Sequence, residues 1–400
     1  MTSTDGFRSP RDLPRVDRRM LLVFDGGNAP GYSSLAVAMT EEATRRGYEV
    51  WAATEGFRSL CSAAMSEPRL ERLILGRGDR YALLGQGIPA RSMGRRVLDA
   101  GSDFRSERYV GFEDRERQTE AARTVVEEGF THVVCVGGNG TLEGAKALAR
   151  ACTDPKPSFG FLNVSIDNDL GGDRAIGFVT GVEAGANVAR GLYEDAYTHK
   201  RVYILEMMGN RSGRHALHCG VGARAHLIVL PFFHFPEDVM REIADALAAA
   251  DHALVVVAEG WEKKARQATG VSASEHLRRQ LEEVGLRDSP KKRVIAEPFS
   301  RYIRGVRPAF LDVSAAYVKA TLLLSAFDEG KTDVMPFVIA AADVGLRTFS
   351  TIEREDGVER SLVPLLSRFR LPKFDAYVHD HFAVDRDERR GQTSLLPSAL

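Results

Sequence analysis

The sequence predicts an α/β fold in which helices cover mainly parallel sheets, and three observations support this prediction. Short apolar runs alternate repeatedly with helical patterns, which is typical of helices wound around parallel strands. Two glycine-rich turns each connect a strand pattern to a helix pattern, the usual connection in such sheets. The chain of 400 residues is longer than one ordinary core allows. We therefore expect two three-layer, Rossmann-like domains.

Composition and charge are those of an ordinary globular protein. The chain is 44% hydrophobic and 27% charged, with a formal net charge of −1, which does not favour binding to nucleic acid or to an acidic membrane. No apolar run stands out as a membrane span, and the polar segment 1–19 has the composition of a flexible leader. The four cysteines lie far apart without a Cys-x-x-Cys pair, as expected of thiols in a reducing cytoplasm.

The first half of the chain alternates strand and helix patterns around one irregular stretch. The strand patterns cover 20–24, 48–53, 133–136 and 159–164. The helix patterns cover 33–46, 115–128 and 142–150. The stretch 55–106 has no clear period, so no element is predicted there.

The second half repeats the alternation. Strand patterns cover 202–205, 227–230, 253–258 and 334–341, and helix patterns cover 237–250 and 311–327. A glycine-spaced segment occupies 209–223. The residues beyond about 385 are polar and show no packing pattern.

The two glycine turns, 26–31 and 137–141, are candidate phosphate-binding loops. Glycine lets backbone amides approach a phosphate closely, and a helix that follows adds the positive end of its dipole. Neither turn matches a P-loop or a dinucleotide fingerprint. Glycine also occurs in such turns for steric reasons alone. Two turns of this kind in one sheet favour a polyphosphate ligand.

The segment Ser165-Ile166-Asp167-Asn168-Asp169 ends a predicted strand and is the candidate catalytic centre. Ligands of open α/β sheets collect outside the carboxyl ends of the strands. Phosphoryl transfer needs a carboxylate that accepts the proton of the attacking hydroxyl. Asp167 and Asp169 are two residues apart, so an extended backbone would direct both to one side. The alternative is a turn in which Asn and Asp side chains cap their own backbone.

These motifs, in order from about residue 20 to residue 339, resemble those of the phosphofructokinase family. The family's G-G-D-A-P-G, G-G-D-G-[ST] and T-I-D-N-D motifs correspond to 26–31, 137–141 and 165–169. Further matches are I-G-F-x-T at 176–180, S-H-x-R-[IV] at 198–202, E-x-M-G-R at 206–210, and Y-x-I-R at 301–304.

The resemblance implies the phosphofructokinase fold and a role for each matching residue. Asp167 would be the general base, supported by Ser165 and Asp169. The donor phosphates would lie at Gly26, Gly27, Arg105, Gly138, Asn139, Gly140 and Thr141. The sugar phosphate would lie at Arg201, Met208, Gly209, Asn210, Arg211, Glu259, Arg293, Arg301, Tyr302 and Arg304. Mg²⁺ would be held at Asn139 and Asp167.

The same resemblance implies domain boundaries and an assembly. A larger donor-binding domain would comprise 20–180 with 300–345, and a smaller sugar-phosphate-binding domain 181–299. Residues 346–400 would form a C-terminal extension. The family's counterpart of Arg201 reaches across a subunit interface, which implies a homodimer or homotetramer.

Several site positions depart from the family pattern. Asn139 replaces an Asp associated with magnesium, and the lost charge should weaken metal binding. Asn28 and Asn210 replace a further Asp and a phosphoryl-stabilising Arg, while Arg301 replaces a sugar-site residue. Because of these changes, either an altered acceptor or a slowed enzyme is expected.

Two other positions indicate the phosphoryl donor. Pyrophosphate-using relatives typically carry an Asp at the position of Gly140 and a Lys at the position of Val164. Without that Asp there is room for the α-phosphate of a nucleotide, and without that Lys pyrophosphate lacks a charge partner. The sequence therefore favours ATP.

The leading hypothesis is a cytoplasmic, Mg²⁺-dependent kinase that transfers the γ-phosphoryl group of ATP to a sugar phosphate. Fructose 6-phosphate, giving fructose 1,6-bisphosphate, is the default acceptor, and a related specialised-pathway sugar is the variant. One alternative is a non-catalytic homologue that binds nucleotide or sugar phosphate and regulates a partner. Another is a nucleotide-cofactor or lipid kinase that shares the second glycine turn.

Overall fold

The computed structural model describes residues 16–53, 55–61, 70–76, 80–83, 91–92, 97–102, 104–299, 301–340, 343–355 and 357–389. Their fold divides into two compact units. Unit 1 contains the described residues of Met1–Ala184 and Arg301–Asp356, and unit 2 those of Gly185–Ser300 and Gly357–Leu400. This division differs from the expected one at the C-terminus. The segment predicted as a separate extension is divided between the two units at residue 356.

The strands of the described residues are numbered in chain order. They are β1 (Arg19–Phe24), β2 (Glu49–Ala53), β3 (Leu70–Gly76), β4 (Arg80–Leu83), β5 (Arg91–Ser92), β6 (His132–Gly137), β7 (Ser158–Asn163), β8 (Val202–Met207), β9 (Leu227–Val229), β10 (Ala253–Ala258), β11 (Val294–Pro298), β12 (Val334–Ala340) and β13 (Asp343–Thr348).

The α-helices of the same residues are numbered likewise. They are α1 (Tyr32–Arg45), α2 (Arg115–Glu127), α3 (Asn139–Ala151), α4 (Phe178–His199), α5 (Arg214–Gly222), α6 (Glu237–Ala249), α7 (Lys263–Arg266), α8 (Ala273–Glu283), α9 (Phe310–Asp328) and α10 (Pro372–Arg389).

The sheet of unit 1 has nine described strands in the order β13-β12-β7-β6-β1-β2-β3-β4-β5. Its centre, from β12 to β2, is parallel, whereas β13 and the strands β3 to β5 pair antiparallel at the two edges. In unit 2 the described strands form a parallel sheet in the order β11-β8-β10-β9. The predicted α/β class with mainly parallel sheets is therefore confirmed.

Burial explains why the central strands read as continuous apolar runs. All six residues of β1 and all six of β10 are buried, because helices cover both faces of a parallel sheet. Helix α1 is also largely buried, with ten buried residues between Tyr32 and Ala43. These elements match the sequence patterns within one or two residues.

Other elements were not predicted. The stretch expected to be irregular contributes β3, β4 and β5 to one edge of the sheet of unit 1. The long helix α4, the helix α8 and the strand β11 were also missed. The predicted helix start at residue 142 was wrong by three residues, since α3 begins at Asn139, directly after the glycine pair.

Helix α9 is long and apolar enough to cross a membrane by composition alone, a feature that the sequence patterns above did not reveal. In the fold, half of the most apolar 18-residue stretch of this helix is buried. Two of its charged side chains, Asp312 and Lys319, are fully buried. Asp312 accepts a hydrogen bond from the backbone of Thr180, and Lys319 forms an ion pair with Asp173. These contacts are those of a core helix in unit 1.

Candidate phosphate-binding site

Three neighbouring strands of unit 1 end at the same edge of the sheet. The registers pair Phe24 of β1 with Val136 of β6, and Gly137 of β6 with Asn163 of β7. The chain continues past these ends with further backbone hydrogen bonds, from Asp25 N to Val136 O at 3.0 Å and from Val164 N to Gly137 O at 2.9 Å. Both glycine turns and the acidic segment therefore start side by side.

The two glycine turns are in direct contact. A Cβ atom added at Gly26 would lie 3.1 Å from Thr141 Oγ1, and the positive φ of 97° at Gly26 also favours glycine. A Cβ atom at Gly137 would overlap Thr141 Oγ1 and the carbonyl oxygen of Asp25. Thr141 Oγ1 lies 3.1 Å from both Asp25 O and Asp25 Oδ2. Steric closeness thus accounts for the glycine at these two positions.

Asp25 is the buried acid of the first turn. Its side chain is 7% exposed, and burial raises the pKa of its carboxyl group to about 6, although the hydrogen bond from Thr141 lowers it. The hydroxyl of Tyr32 donates to the Asp25 carbonyl oxygen at 2.9 Å and fixes the turn from the other side. A carboxyl group with this pKa changes charge just below neutral pH.

The second turn opens directly into a helix. Asn139 is the first residue of α3, and the preceding Gly138 provides no side-chain cap. A Cβ atom at Gly140 would meet nothing within 4 Å, so the start of the helix is open. One at Gly138 would lie 3.5 Å from Ser165 Oγ, which places the acidic segment beside this helix start. Open amide groups and the helix dipole both favour an anion there.

The acidic segment combines a turn with two carboxylates of different environment. Asn168 has a positive φ of 52°, and its Oδ1 accepts a hydrogen bond from Ala175 N at 2.8 Å, so the Asn performs the turn-capping role. The Asp167 amide donates to Ser165 Oγ at 3.0 Å. Asp169 is buried, with its Oδ2 3.1 Å from Arg354 Nη2. Asp167 is half-buried.

Arg354 also contacts the position expected to bind metal. With the amide oriented so that its oxygen faces the guanidinium, Asn139 accepts hydrogen bonds from Arg354 Nη1 at 3.1 Å and from Nε at 3.2 Å. A cation in contact with this oxygen disfavours a second one, so Asn139 does not fit the predicted role of magnesium ligand. Across the described residues no three His, Cys, Asp or Glu side chains form a metal-binding group. Asp167 is the carboxylate that fits a hard cation.

Two other arginines lie over the first glycine turn. A Cβ atom at Gly27 would lie 2.8 Å from Arg108 Nη2 and 3.2 Å from Arg304 Nη1. Arg304 Nη1 also donates to the Asn28 carbonyl oxygen at 2.8 Å. The predicted donor ligand Arg105 instead has a side chain that is 75% exposed, 3.4 Å from Glu55.

The structure therefore brings Arg108, and not Arg105, to the turn. The arginines that follow Gly101 in the sequence indicated a phosphate contact, but the sequence did not show which of them faces the turn. Arg301 and Tyr302 precede Arg304 on a short 3₁₀ turn, and both are exposed, with Tyr302 at 72%.

In unit 2, the strands β8 and β10 bring several predicted sugar-site residues together. The amide of Glu259 donates to Met207 O at 2.7 Å, so Glu259 lies beside the chain that continues into Met208. Gly209, with a φ of 129°, leads the chain on to Asn210, whose backbone packs against Gly260.

The exposed Asn210 accepts a hydrogen bond from Lys263 Nζ at 3.0 Å. Lys263 was not among the predicted residues, because it lies far from the motif in sequence. It restores a positive charge beside the position where the family pattern has an Arg. Arg211 is exposed.

Arg201 and Arg293 lie at the other end of these strands, on the side of the sheet where the strands begin. Each residue immediately precedes a strand, β8 and β11 respectively, and Val202 N donates to Arg293 O. Arg201 Nη1 pairs with Asp195 at 2.9 Å, and Arg293 Nε with Asp288 at 3.0 Å. Within unit 2 the predicted phosphate arginines are thus separated from Met208 and Glu259 by the length of the strands.

The fold is that of an α/β protein with loops at the carboxyl ends of parallel strands, the place where such sheets bind their ligands. The chain belongs to the phosphofructokinase family, whose family model matches residues 19–323.

Individual relatives agree with this assignment. The chain is 30% identical over 246 residues to a protein of Streptococcus agalactiae serotype III named ATP-dependent 6-phosphofructokinase, a match covering 61% of this chain and 65% of that protein. A protein of the same name from Aquifex aeolicus is 29% identical over 250 residues, covering 61% of this chain and 70% of the relative.

Solved structures show the same fold. Phosphofructokinase from Saccharomyces cerevisiae superimposes with a TM-score of 0.66 at 20% identity, covering 84% of this chain and 45% of that one. A pyrophosphate-dependent phosphofructokinase from Marinobacter aquaeolei gives 0.68 at 16% identity, covering 88% and 93%. At these identities the likeness concerns the fold and not the choice of phosphoryl donor.

Proposed function

We propose that this protein is a sugar-phosphate kinase that transfers the γ-phosphoryl group of ATP to a hydroxyl group of its acceptor. The observation that carries the proposal is the convergence of Ser165, Asp167 and the two glycine turns at one sheet edge of unit 1. Family membership supports the same reaction class.

In the proposed reaction, Asp167 accepts the proton of the acceptor hydroxyl as its oxygen attacks the γ-phosphorus. The bond to the oxygen that bridges to the β-phosphate breaks, ADP leaves, and Asp167 returns its proton to solvent. Ser165 Oγ, bonded to the Asp167 amide, holds the segment in place. The amides at Gly138 and Gly140 and the arginines over Gly27 compensate the charge of the phosphates.

Two features support ATP over pyrophosphate. The space at Gly140 is open at the start of α3, which leaves room for an α-phosphate. Val164, where a lysine would serve pyrophosphate, is buried and apolar. Mg²⁺ remains part of the proposal through Asp167, which would hold the ion together with the donor phosphates, while the ion would supply further charge compensation.

The acceptor is proposed to be a phosphorylated sugar, with fructose 6-phosphate as the default. Met208 and Glu259 directly follow the neighbouring strands β8 and β10, so their side chains suit contacts with one sugar. Asn210, with Lys263 beside it, and the exposed Arg301 differ from the family pattern, which supports a related specialised sugar as the variant acceptor. We further propose a cytoplasmic homodimer or homotetramer.

A non-catalytic homologue that binds nucleotide and regulates a partner is the second candidate. The contact between Asn139 and Arg354 favours it, since the side chain at the expected metal position is already engaged. The half-buried Asp167 beside Ser165 favours the enzyme.

The proposal is tested by incubating the purified chain with Mg²⁺, with ATP or pyrophosphate, and with a panel of sugar phosphates. Phosphoryl transfer from ATP to at least one sugar phosphate is the expected result. Transfer from pyrophosphate alone would contradict the donor assignment. If ATP binds without transfer to any acceptor, the regulatory candidate replaces the enzyme.

A further inference from the structure

Arg354 forms a fork between two residues of the candidate donor site. Its Nη1 and Nε atoms donate to the amide oxygen of Asn139, and its Nη2 atom pairs with Asp169. Asn139 opens the helix α3, and Asp169 ends the acidic segment. The guanidinium therefore spans the second glycine turn and the acidic segment, the two elements between which donor phosphates are expected.

The backbone holds this arginine in place. Leu170 and Arg354 form an antiparallel bridge. Gly171 N donates to Glu353 O at 2.9 Å, and Glu355 N donates to Asp169 O at 2.8 Å. Glu353, Arg354 and Glu355 are thus paired along the backbone with Asp169, Leu170 and Gly171. The side chain of Arg354 keeps 30% of its surface exposed, so it is held but open to a ligand.

The arrangement explains the residue at position 139. A carboxylate there would neutralise the guanidinium, whereas an amide oxygen accepts its hydrogen bonds without adding a negative charge. Asp169, which is buried, offsets part of the charge through its contact with Nη2.

We propose that Arg354 is a donor-binding residue whose fixed positive charge replaces the protein-bound metal contact at position 139. It binds phosphate oxygens of the donor at the start of α3, where the helix amides already favour an anion. The inference rests on the proposed function for the identity of the donor. Because the charge of Arg354 is fixed in place, the protein is expected to bind metal-free ATP with an affinity close to that for the magnesium complex of ATP.

The test is isothermal titration of ATP, without any acceptor, in Mg²⁺ and in EDTA. For the wild type, the two Kd values are expected to agree within about tenfold, the equivalent of 1.4 kcal/mol. Arg354→Gln should weaken binding of metal-free ATP by tenfold or more, because a charge-assisted contact to phosphate is lost. Arg354→Lys keeps the charge but not the planar guanidinium, so its Kd for metal-free ATP should lie between those of the wild type and Arg354→Gln.

Two further variants control the result. Arg347→Gln removes an arginine beside Gly171 and Gly172 that lies over the Phe337 ring, and it should leave metal-free ATP binding unchanged. Asn139→Asp places a carboxylate against Arg354 and should weaken metal-free binding although Arg354 is intact. Circular dichroism of each variant establishes that it is folded.

The inference is overturned if the wild type binds ATP only with Mg²⁺, or if Arg354→Gln and Arg347→Gln bind metal-free ATP equally well. Because no acceptor is present, the outcome is independent of turnover. Arg354-dependent binding without phosphoryl transfer upholds the inference and contradicts the proposed function. If phosphoryl transfer occurs but ATP binding requires Mg²⁺ and does not depend on Arg354, the inference is contradicted and the proposed function is upheld.

Discussion

Among single residues, Asp25 makes the stability of the protein depend on pH. Its folded-state pKa of about 6 exceeds the ordinary value of 3.8, so the folded protein holds this proton more tightly than the unfolded chain. Stability from the protonated form is therefore complete below pH 3.8 and falls as the pH rises to about 6. Between pH 4.5 and pH 7.5 the free energy of unfolding should fall by about 2 kcal/mol on this account.

Asp25→Asn is the matched comparison, because the amide oxygen still accepts a hydrogen bond from Thr141. Urea denaturation of both proteins at the two pH values isolates the effect of Asp25 from that of other groups. The wild type should lose about 2 kcal/mol more than the variant. Equal losses in the two proteins would show that Asp25 is not protonated in the fold.

Which site residues the sequence reveals depends on how local their contacts are. The glycine turns and the segment 165–169 are short motifs, and the structure places them together. Arg354 and Lys263 were not found, since their partners Asn139 and Asn210 are distant along the chain and only the fold joins them. The choice of Arg105 over Arg108 failed for a related reason, because a loop without a regular period does not fix which arginine faces inward.

At the scale of elements, a buried ion pair fixes helix α9 to the loop that follows the acidic segment. Lys319 Nζ lies 2.6 Å from Asp173 Oδ2, and both side chains are fully buried. Asp173 also accepts hydrogen bonds from Asn163 and from the Val338 amide. Lys319→Met would leave an uncompensated buried carboxylate, so it should lower the free energy of unfolding by about 3–5 kcal/mol in urea denaturation.

Lys331→Met serves as the control for this prediction. Lys331 lies shortly after the same helix, and its ion pair with Glu329 is exposed, so its loss should cost at most about 1 kcal/mol. The double variant Lys319→Met with Asp173→Asn should recover part of the lost stability. Equal costs for Lys319→Met and Lys331→Met would contradict a structural role of the buried pair.

The predicted elements are those whose burial is strongest. Strands β1, β6 and β10 are covered on both faces and read as apolar runs. The edge strands β3 to β5 were missed because they are antiparallel and mix charged with apolar residues. Helix α4 carries three glycines and several polar residues, which conceal its period.

At the scale of the whole molecule, the placement of Arg201 predicts a site shared between subunits. Arg201 lies at the sheet edge of unit 2 opposite to Met208, so one sugar phosphate held by both calls for a second copy of the chain. Arg201→Ala should raise the KM for the sugar phosphate tenfold or more, because a charge-assisted contact is lost.

Mixing variants tests this arrangement. In a dimer with shared sites, random pairing of Arg201→Ala with Asp167→Asn subunits makes about a quarter of all sites intact. Co-expression should therefore restore about a quarter of wild-type activity from two impaired proteins. A mixture no more active than its components would place Arg201 and Asp167 of one site in the same subunit, or exclude Arg201 from the site.

Asp167 is proposed as the base of a phosphoryl transfer at the junction of the two glycine turns. Asp167→Asn keeps the size of the side chain and the hydrogen bond from the backbone amide to Ser165 Oγ, but it removes the proton acceptor. The decisive measurement compares kcat and the Kd for ATP in the wild type and in this variant. A fall in kcat of about 10²- to 10⁴-fold that exceeds any change in the Kd for ATP is the predicted result. Unchanged transfer in Asp167→Asn would contradict the assignment.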